Sequence, residues 1–219
     1  RFTFCALAST GRDVRFDLAR ISGYRNFCNK LWNAASYVLS NTESVELTGG
    51  ELSLADRWIR SRLQGLIEEV HFAFETFRFD VMAQKLYDFT WHEYCDWYLE
   101  LTKPVLREGT PEAQAAARRT LLEVLETLLR LMHPIMPFLT EELWGQKARP
   151  KMLVHADWPT YTAAEFADPA AEAEMQFVIA VIDGVRSARA QVGVKAGDFV
   201  PLMAMGLDDA ARSAWTGNA

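Results

Sequence analysis

From residue 24 to residue 39 the chain reads "YRNFCNKLWNAASYVL", where Phe27, Leu31, Ala34 and Val38 recur at steps of four, three and four. That spacing is one buried face of an amphipathic helix. One residue back, Asn26, Lys30, Asn33 and Tyr37 keep the same steps. The helix therefore carries a second stripe of two amides, a cation and an aromatic ring, lying beside the face that holds it in place.

The same period organises most of the chain. "RFTFCALAS" reads as the end of a helix, residues 10–17 as a polar connection, and residues 18–39 as the first long helix. Paired glycines and small polar residues make 40–53 a loop. Ser53-x-x-Asp56 then matches a capping box and opens a helix with Ile59, Leu63, Leu66, Ile67, Val70, Phe74 and Phe77 on one side. Asp80 is placed to cap a fourth helix to about Lys103, with one stripe of Tyr87, Trp91, Tyr94, Tyr98 and Leu101 and another of Met82, Leu86 and Phe89. A helix apolar over so much of its circumference belongs at the centre of a bundle.

Thr110-Pro111 is a cap followed by proline at the first helical position, opening a Leu-rich helix to Met132. Pro134 and Pro137 interrupt it, a short helix "FLTEELW" follows, and "QKARPK" connects to "MLVHADWP", read as a strand. Asp168-Pro169 caps a last helix with Met175, Val178, Ile179, Ile182 and Val185 on one face, and residues 199–205 read as a second strand. No internal repeat is present. The prediction is a mainly α fold: an antiparallel helical bundle with a small C-terminal α/β appendage. Its parts are a junction and first helix (1–40), the bundle (41–148) and a mixed region (149–219).

Composition narrows this further. Half of the 219 residues are hydrophobic, enough for a sizeable core. No apolar run reaches the roughly 20 residues needed to cross a bilayer. Cys5, Cys28 and Cys95 are odd in number and scattered, which suits reduced thiols in the cytoplasm. The chain opens on Arg1 without a signal peptide and closes on "ARSAWTGNA", so it reads as a piece of a longer protein cut at both ends. Net charge is −6, yet residues 1–40 hold six basic groups against two acids, leaving +4 there and −10 elsewhere. Arg57, Arg60 and Arg62 form a second short basic cluster. A polyanion would be met near the N-terminal third.

Catalytic chemistry is not legible. There is neither a Gly-rich phosphate loop nor a nucleophile elbow. "HEYCD" starts like a zinc helix, but Asp96 stands where a second histidine is needed, and His92 with Cys95 makes only two ligands. Glu141 and Glu142 read as helix-dipole partners and His133 as structural, while His71 and His155 have no partner visible in sequence. Trp32, Trp91 and Trp97 default to the core. Tyr37 has two readings: a ring at a bundle edge with Lys30 laid along the surface beside it, or a platform on which an unpaired base stacks.

A resemblance favours the second. "GRDVRFD", "RISGYRNFCNKLWNA", "LADRWIRSRL", "YDFTWHEYCDWYLELTKP" and "HPIMPFLTEELW" resemble, in order and spacing over residues 1–145, the region that follows the catalytic core in the valyl-tRNA synthetase family. "ADRWIRSRL" is shared with the isoleucyl and leucyl relatives; "FCNKLWNA" and "CDWYLELTKP" are what separate them. The remainder, "VRSARAQVGVKAGDFVPL", is similar to a short mixed linker. The resemblance implies an anticodon-binding domain that holds tRNA(Val), a monomer with no DNA or membrane partner. Its ATP, catalytic residues and editing would belong to the rest of the enzyme, and it would hold no metal or cofactor of its own. It also implies that Lys30, Tyr37 and Leu99 line a pocket for unstacked anticodon bases. Asn26 and Asn33 lie beside them, and Arg25, Arg12 and Arg15 stand near the junction as phosphate contacts. The competing class is a helical scaffold whose polar stripe meets another protein.

Overall fold

The computed structural model describes residues 1–8, 18–43, 45, 47–160, 163–195 and 197–218. They divide into two units, Arg1–Ala167 and Asp168–Ala219. The first unit holds α1 (Phe2–Leu7), α2 (Leu18–Thr42), α3 (Leu54–Glu75) and α4 (Phe79–Asp88). A π-helical stretch (Phe89–Tyr98) follows, then α5 (Leu99–Glu108), α6 (Pro111–Met132), α7 (Pro137–Gly145), a 3₁₀ turn (Leu153–His155) and the short α8 (Ala163–Phe166). The second unit holds α9 (Pro169–Gln191) and α10 (Asp209–Asn218). The described residues are all helix, turn or irregular chain, so the expected α/β appendage is not there. "MLVHADWP" makes the 3₁₀ turn and 199–205 runs irregularly, because among the described residues neither segment finds a neighbour to complete a ladder.

Capping chemistry sets where the bundle helices start. Ser53 Oγ accepts from the Asp56 amide and the Asp56 carboxylate accepts in turn from the Ser53 amide. Asp56 is buried, and its other oxygen accepts from the Tyr98 hydroxyl at 2.5 Å, which ties the start of α3 to the middle of the molecule. Thr110 Oγ1 caps α6 at the Ala113 amide. The expected Asp80 cap does not form, because its carboxylate instead accepts both guanidinium bonds of Arg78 at 2.9 Å. That contact holds the carboxyl below its usual range. The 40–53 loop is fastened by Arg119, which donates to the Gly49 carbonyl at 2.7 Å. Gly50 is required: its φ is +75°, and a Cβ there would meet the Glu112 carbonyl oxygen at 2.1 Å.

The central rod differs most from a uniform helical pattern. It runs from 79 through Pro104 to Glu108, past the expected end near 103. In its π stretch the buried residues come as neighbours, Phe89 with Thr90 and then Tyr94 with Cys95, and its last residue Tyr98 is buried beside Leu99, the first of α5. Bonds from i to i+5 widen the turn there, while the buried neighbours reflect apolar elements on several sides of the rod, as they do in α6 at Leu121–Leu122 and Leu128–Leu129. Tyr94 donates from its hydroxyl to the Leu121 carbonyl at 2.8 Å. Burial raises the pKa of both Tyr94 and Tyr98 well above the ordinary range. The core is completed by Leu121, Leu125, Leu128 and Leu131 of α6 and by Phe27, Leu31 and Val38 of α2.

Two expectations about aromatic residues change. Phe74 and Phe77 are 45% and 77% exposed, since α3 ends at Glu75 and Phe77 turns the chain with φ +56°. Trp32 is 37% exposed and Trp91 and Trp97 are half-buried, so these three do not form the core.

Candidate nucleic-acid interface

The polar stripe of α2 meets the rod. Lys30, Asn33, Ala34 and Tyr37 from α2 and Cys95, Asp96, Leu99, Glu100 and Lys103 from the π stretch and α5 line one open pocket of about 350 Å³. Leu99, Ala34 and Cys95 are buried and form an apolar floor, while half-buried Tyr37 and exposed Asn33 reach the opening. The arrangement follows from the two stripes of α2. Phe27, Leu31 and Val38 are fully buried and clamp the helix, so the stripe one residue back lies along the seam with the rod.

Charges in the pocket are paired. Lys30 Nζ sits 2.5 Å from Asp96 Oδ1 and 4.1 Å from the centroid of the Trp91 ring. Lys103 Nζ lies 2.6 Å from Glu100 Oε1 and 6.0 Å from the Tyr37 ring centroid. Two cations and two carboxylates leave the lining with no net formal charge. Burial pushes the Cys95 thiol up to about 12, so at neutral pH it contributes an uncharged surface. A flat, neutral guest with hydrogen-bonding edges suits such a lining better than a phosphate, which needs unmatched positive charge.

The structure brings Lys30, Asn33, Tyr37 and Leu99 together and leaves others apart. Asn26 is exposed on α2 one turn before Lys30, outside the pocket lining. Arg25 lines a separate, mainly apolar groove with Phe2, Tyr24, Ile135 and Phe138. Arg12 and Arg15 lie outside the described residues. The second basic cluster is partly neutralised, with Arg60 3.2 Å from Glu123 and Arg62 2.8 Å from Glu93. Sequence reasoning weighed Asp96 only against a zinc helix and did not place it, Glu100 or Lys103 at this site, although with Leu99 they recur at helical steps on one face.

The remaining candidates resolve into structural roles. Glu141 accepts from the Leu153 and Val154 amides at 2.8 and 3.2 Å, holding the 3₁₀ turn rather than serving the α7 dipole. His133 Nδ1 lies 2.9 Å from Thr140 Oγ1. His71 has the partners that its sequence context hid, the Pro159 carbonyl and the Trp158 indole. His92 is exposed near Asp96, and no group of three or more potential metal ligands occurs among the described residues. No helix among them is long and apolar enough to cross a membrane.

A family described as the anticodon-binding domain of tRNA ligase matches residues 56–202. The chain belongs to that family. A valine–tRNA ligase of Legionella pneumophila (strain Paris) is 48% identical over 212 residues, 92% of this chain and 23% of the relative. One from Ruegeria pomeroyi is 47% identical over 226 residues, all of this chain and 22% of the relative. The chain thus spans less than a quarter of the curated relatives it matches. The fold is shared with the Agrobacterium radiobacter K84 agnB2 LeuRS in its ternary complex with tRNA and LeuAMS, with a TM-score of 0.54 at 17% identity over 77% of this chain and 20% of that one. The chain is thus an anticodon-binding domain of the tRNA-ligase kind, similar in sequence to one part of valine–tRNA ligases, and its described residues are helix, turn or irregular chain.

Proposed function

We propose that the chain holds the anticodon loop of tRNA(Val) as part of a valine–tRNA ligase, and that the pocket between α2 and the central rod receives an unstacked anticodon base. In this reading Tyr37 is the stacking platform, Leu99 and Ala34 supply the apolar floor, and Lys30 and Asn33 meet the base edge. Asn26 extends the same stripe along the loop. Arg25, Arg12 and Arg15 are assigned to phosphates on the inner side of the tRNA. Valine activation with ATP, transfer and editing belong to other parts of the enzyme, and this chain contributes binding without catalytic residues, metal or cofactor of its own. The setting is a cytoplasmic monomer with tRNA as its nucleic acid and neither DNA nor membrane as a partner.

The observation that carries the proposal is the convergence of Lys30, Asn33, Tyr37 and Leu99 on one pocket from two helical segments 50 or more residues apart. The valine assignment rests on the 47–48% identity to ligases of that name. The test is titration with tRNA bearing a valine anticodon and with the same tRNA altered at its central anticodon base. Tyr37→Ala is expected to weaken binding of the unaltered tRNA by roughly 1–3 kcal/mol through lost stacking. Equal affinity of variant and parent would remove the stacking role.

A further inference from the structure

We propose that Tyr98 and Tyr94 are positioning residues for tRNA binding: their buried hydroxyls hold the rod in the rotation that presents Asp96, Leu99 and Glu100 to α2. This rests on the anticodon-base reading above. The α2 wall needs no such anchor, because fully buried Phe27, Leu31 and Val38 clamp the helix that carries Lys30, Asn33 and Tyr37. The rod is different. It buries residues around much of its circumference, and burial of apolar surface is non-directional, so packing alone leaves rotation about its own axis loosely set. Hydrogen bonds carry direction, and the two tyrosines supply them.

Tyr94 donates to the Leu121 carbonyl of α6 at 2.8 Å and Tyr98 to Asp56 Oδ1 of α3 at 2.5 Å, and neither tyrosine has exposed surface. Asp56 is itself fixed, since its other oxygen accepts from the Ser53 amide and hydroxyl at 2.9 and 2.7 Å. The rod is thus tied to two different helices. Each anchor stands next to a lining residue, Tyr94 before Cys95 and Tyr98 before Leu99, while Asp96 and Glu100 follow one position later, about half a turn round from the hydroxyls. A roll of the rod that freed the hydroxyls would carry the whole wall along the seam and part Asp96 from Lys30. Both anchors also lie in the π-helical stretch, a backbone form that is rare and recurs at functional sites. Removing an anchor lowers the fraction of molecules with the wall in place, and the apparent affinity falls with that fraction. A hydrogen bond to a carboxylate is worth about a tenfold change in such an equilibrium, one to a neutral carbonyl less.

The experiment uses the full-length ligase that carries this chain, as Tyr98→Phe, Tyr94→Phe and Leu128→Ala. The last opens a cavity in the core without touching either anchor. Aminoacylation is measured with tRNA bearing a valine anticodon and with the same tRNA altered at its central anticodon base. Tyr98→Phe is expected to raise KM for the unaltered tRNA about tenfold and Tyr94→Phe by less, each with a reduced preference over the altered tRNA. Neither is expected to change kcat or valine-dependent exchange of pyrophosphate into ATP. Leu128→Ala is expected to lower Tm at least as far while keeping the parent KM. Tyr94→Phe, which leaves no buried charge unpaired, keeps the test open if Tyr98→Phe does not fold. Parent-like KM in the tyrosine variants overturns the positioning role and leaves the pocket standing, and so does an equal rise in Leu128→Ala, which would reduce the effect to lost stability. A parent that does not distinguish the two tRNAs overturns the anticodon reading, and this one with it.

Discussion

Helices α6 and α9 are nearly equal in length, at 22 and 23 residues, and both begin with a capped proline, yet α6 buries twelve residues and α9 buries two, Ala171 and Met175. In the first unit α6 is surrounded by apolar faces of α2, α3 and the rod, so every turn finds a counterpart. In the second unit Val178, Ile182 and Val185 remain half-exposed beside an apolar groove, and Phe199, Met203 and Met205 lie at 104%, 80% and 82% exposure. An amphipathic period specifies that a face will be buried if something presents itself. How deeply it is buried depends on the number of facing elements.

The contrast can be broken most strongly at the bundle centre. Leu128→Ala, at a fully buried position, should cost about 2–5 kcal/mol in urea unfolding, the range for a buried leucine whose cavity cannot collapse. Tyr98→Phe comes next. It deprives the buried Asp56 carboxylate of a donor, and a loss of roughly 1–3 kcal/mol by the same measurement is expected.

A pH series sharpens the comparison from another side. Cys95 has its pKa raised from 9.0 to about 12 by burial, so the native chain holds a proton that the unfolded chain releases in that window. Its stabilisation is complete below pH 9 and is lost as pH rises toward 12, with a slope approaching ~1.4 kcal/mol per unit. Cys95→Ala should flatten the alkaline limb by that one proton while leaving the neutral region parallel. The smallest effect belongs to the exposed tail: Phe199→Ser should change stability by no more than about 0.5 kcal/mol, because nothing is uncovered. A large loss there would mean that the second unit buries more than its exposure indicates.

Much of this was legible in the chain because it depends on neighbours in sequence. The Ser53/Asp56 box, the Thr110 and Asp168 caps and the two stripes of α2 each involve residues within a few positions, and periodicity reads such relations directly. The π stretch was not, since a shift from i+4 to i+5 bonding is a change of backbone pairing that leaves composition unchanged. Glu141 looked like a dipole partner because its acceptor role joins residues twelve and thirteen positions away.

For the candidate site the division is the same. One wall, Asn33, Lys30 and Tyr37, could be drawn from α2 alone, and Leu99 came from family resemblance. The carboxylates facing that wall did not, although the spacing of Asp96, Glu100 and Lys103 marks a helical face. By itself the sequence determined the long helices, the capped starts of three of them and the polar stripe that one displays, since backbone hydrogen bonding and capping are local; the two strands it suggested after residue 150 needed partners that the described residues do not supply. Only tertiary structure decided that Lys30 would be neutralised by a residue 66 positions away, that the pocket would carry no net charge, and that one long helix would be buried while the other kept half its apolar face in water. Those outcomes depend on which surfaces meet, and no periodicity within a single element specifies its partner.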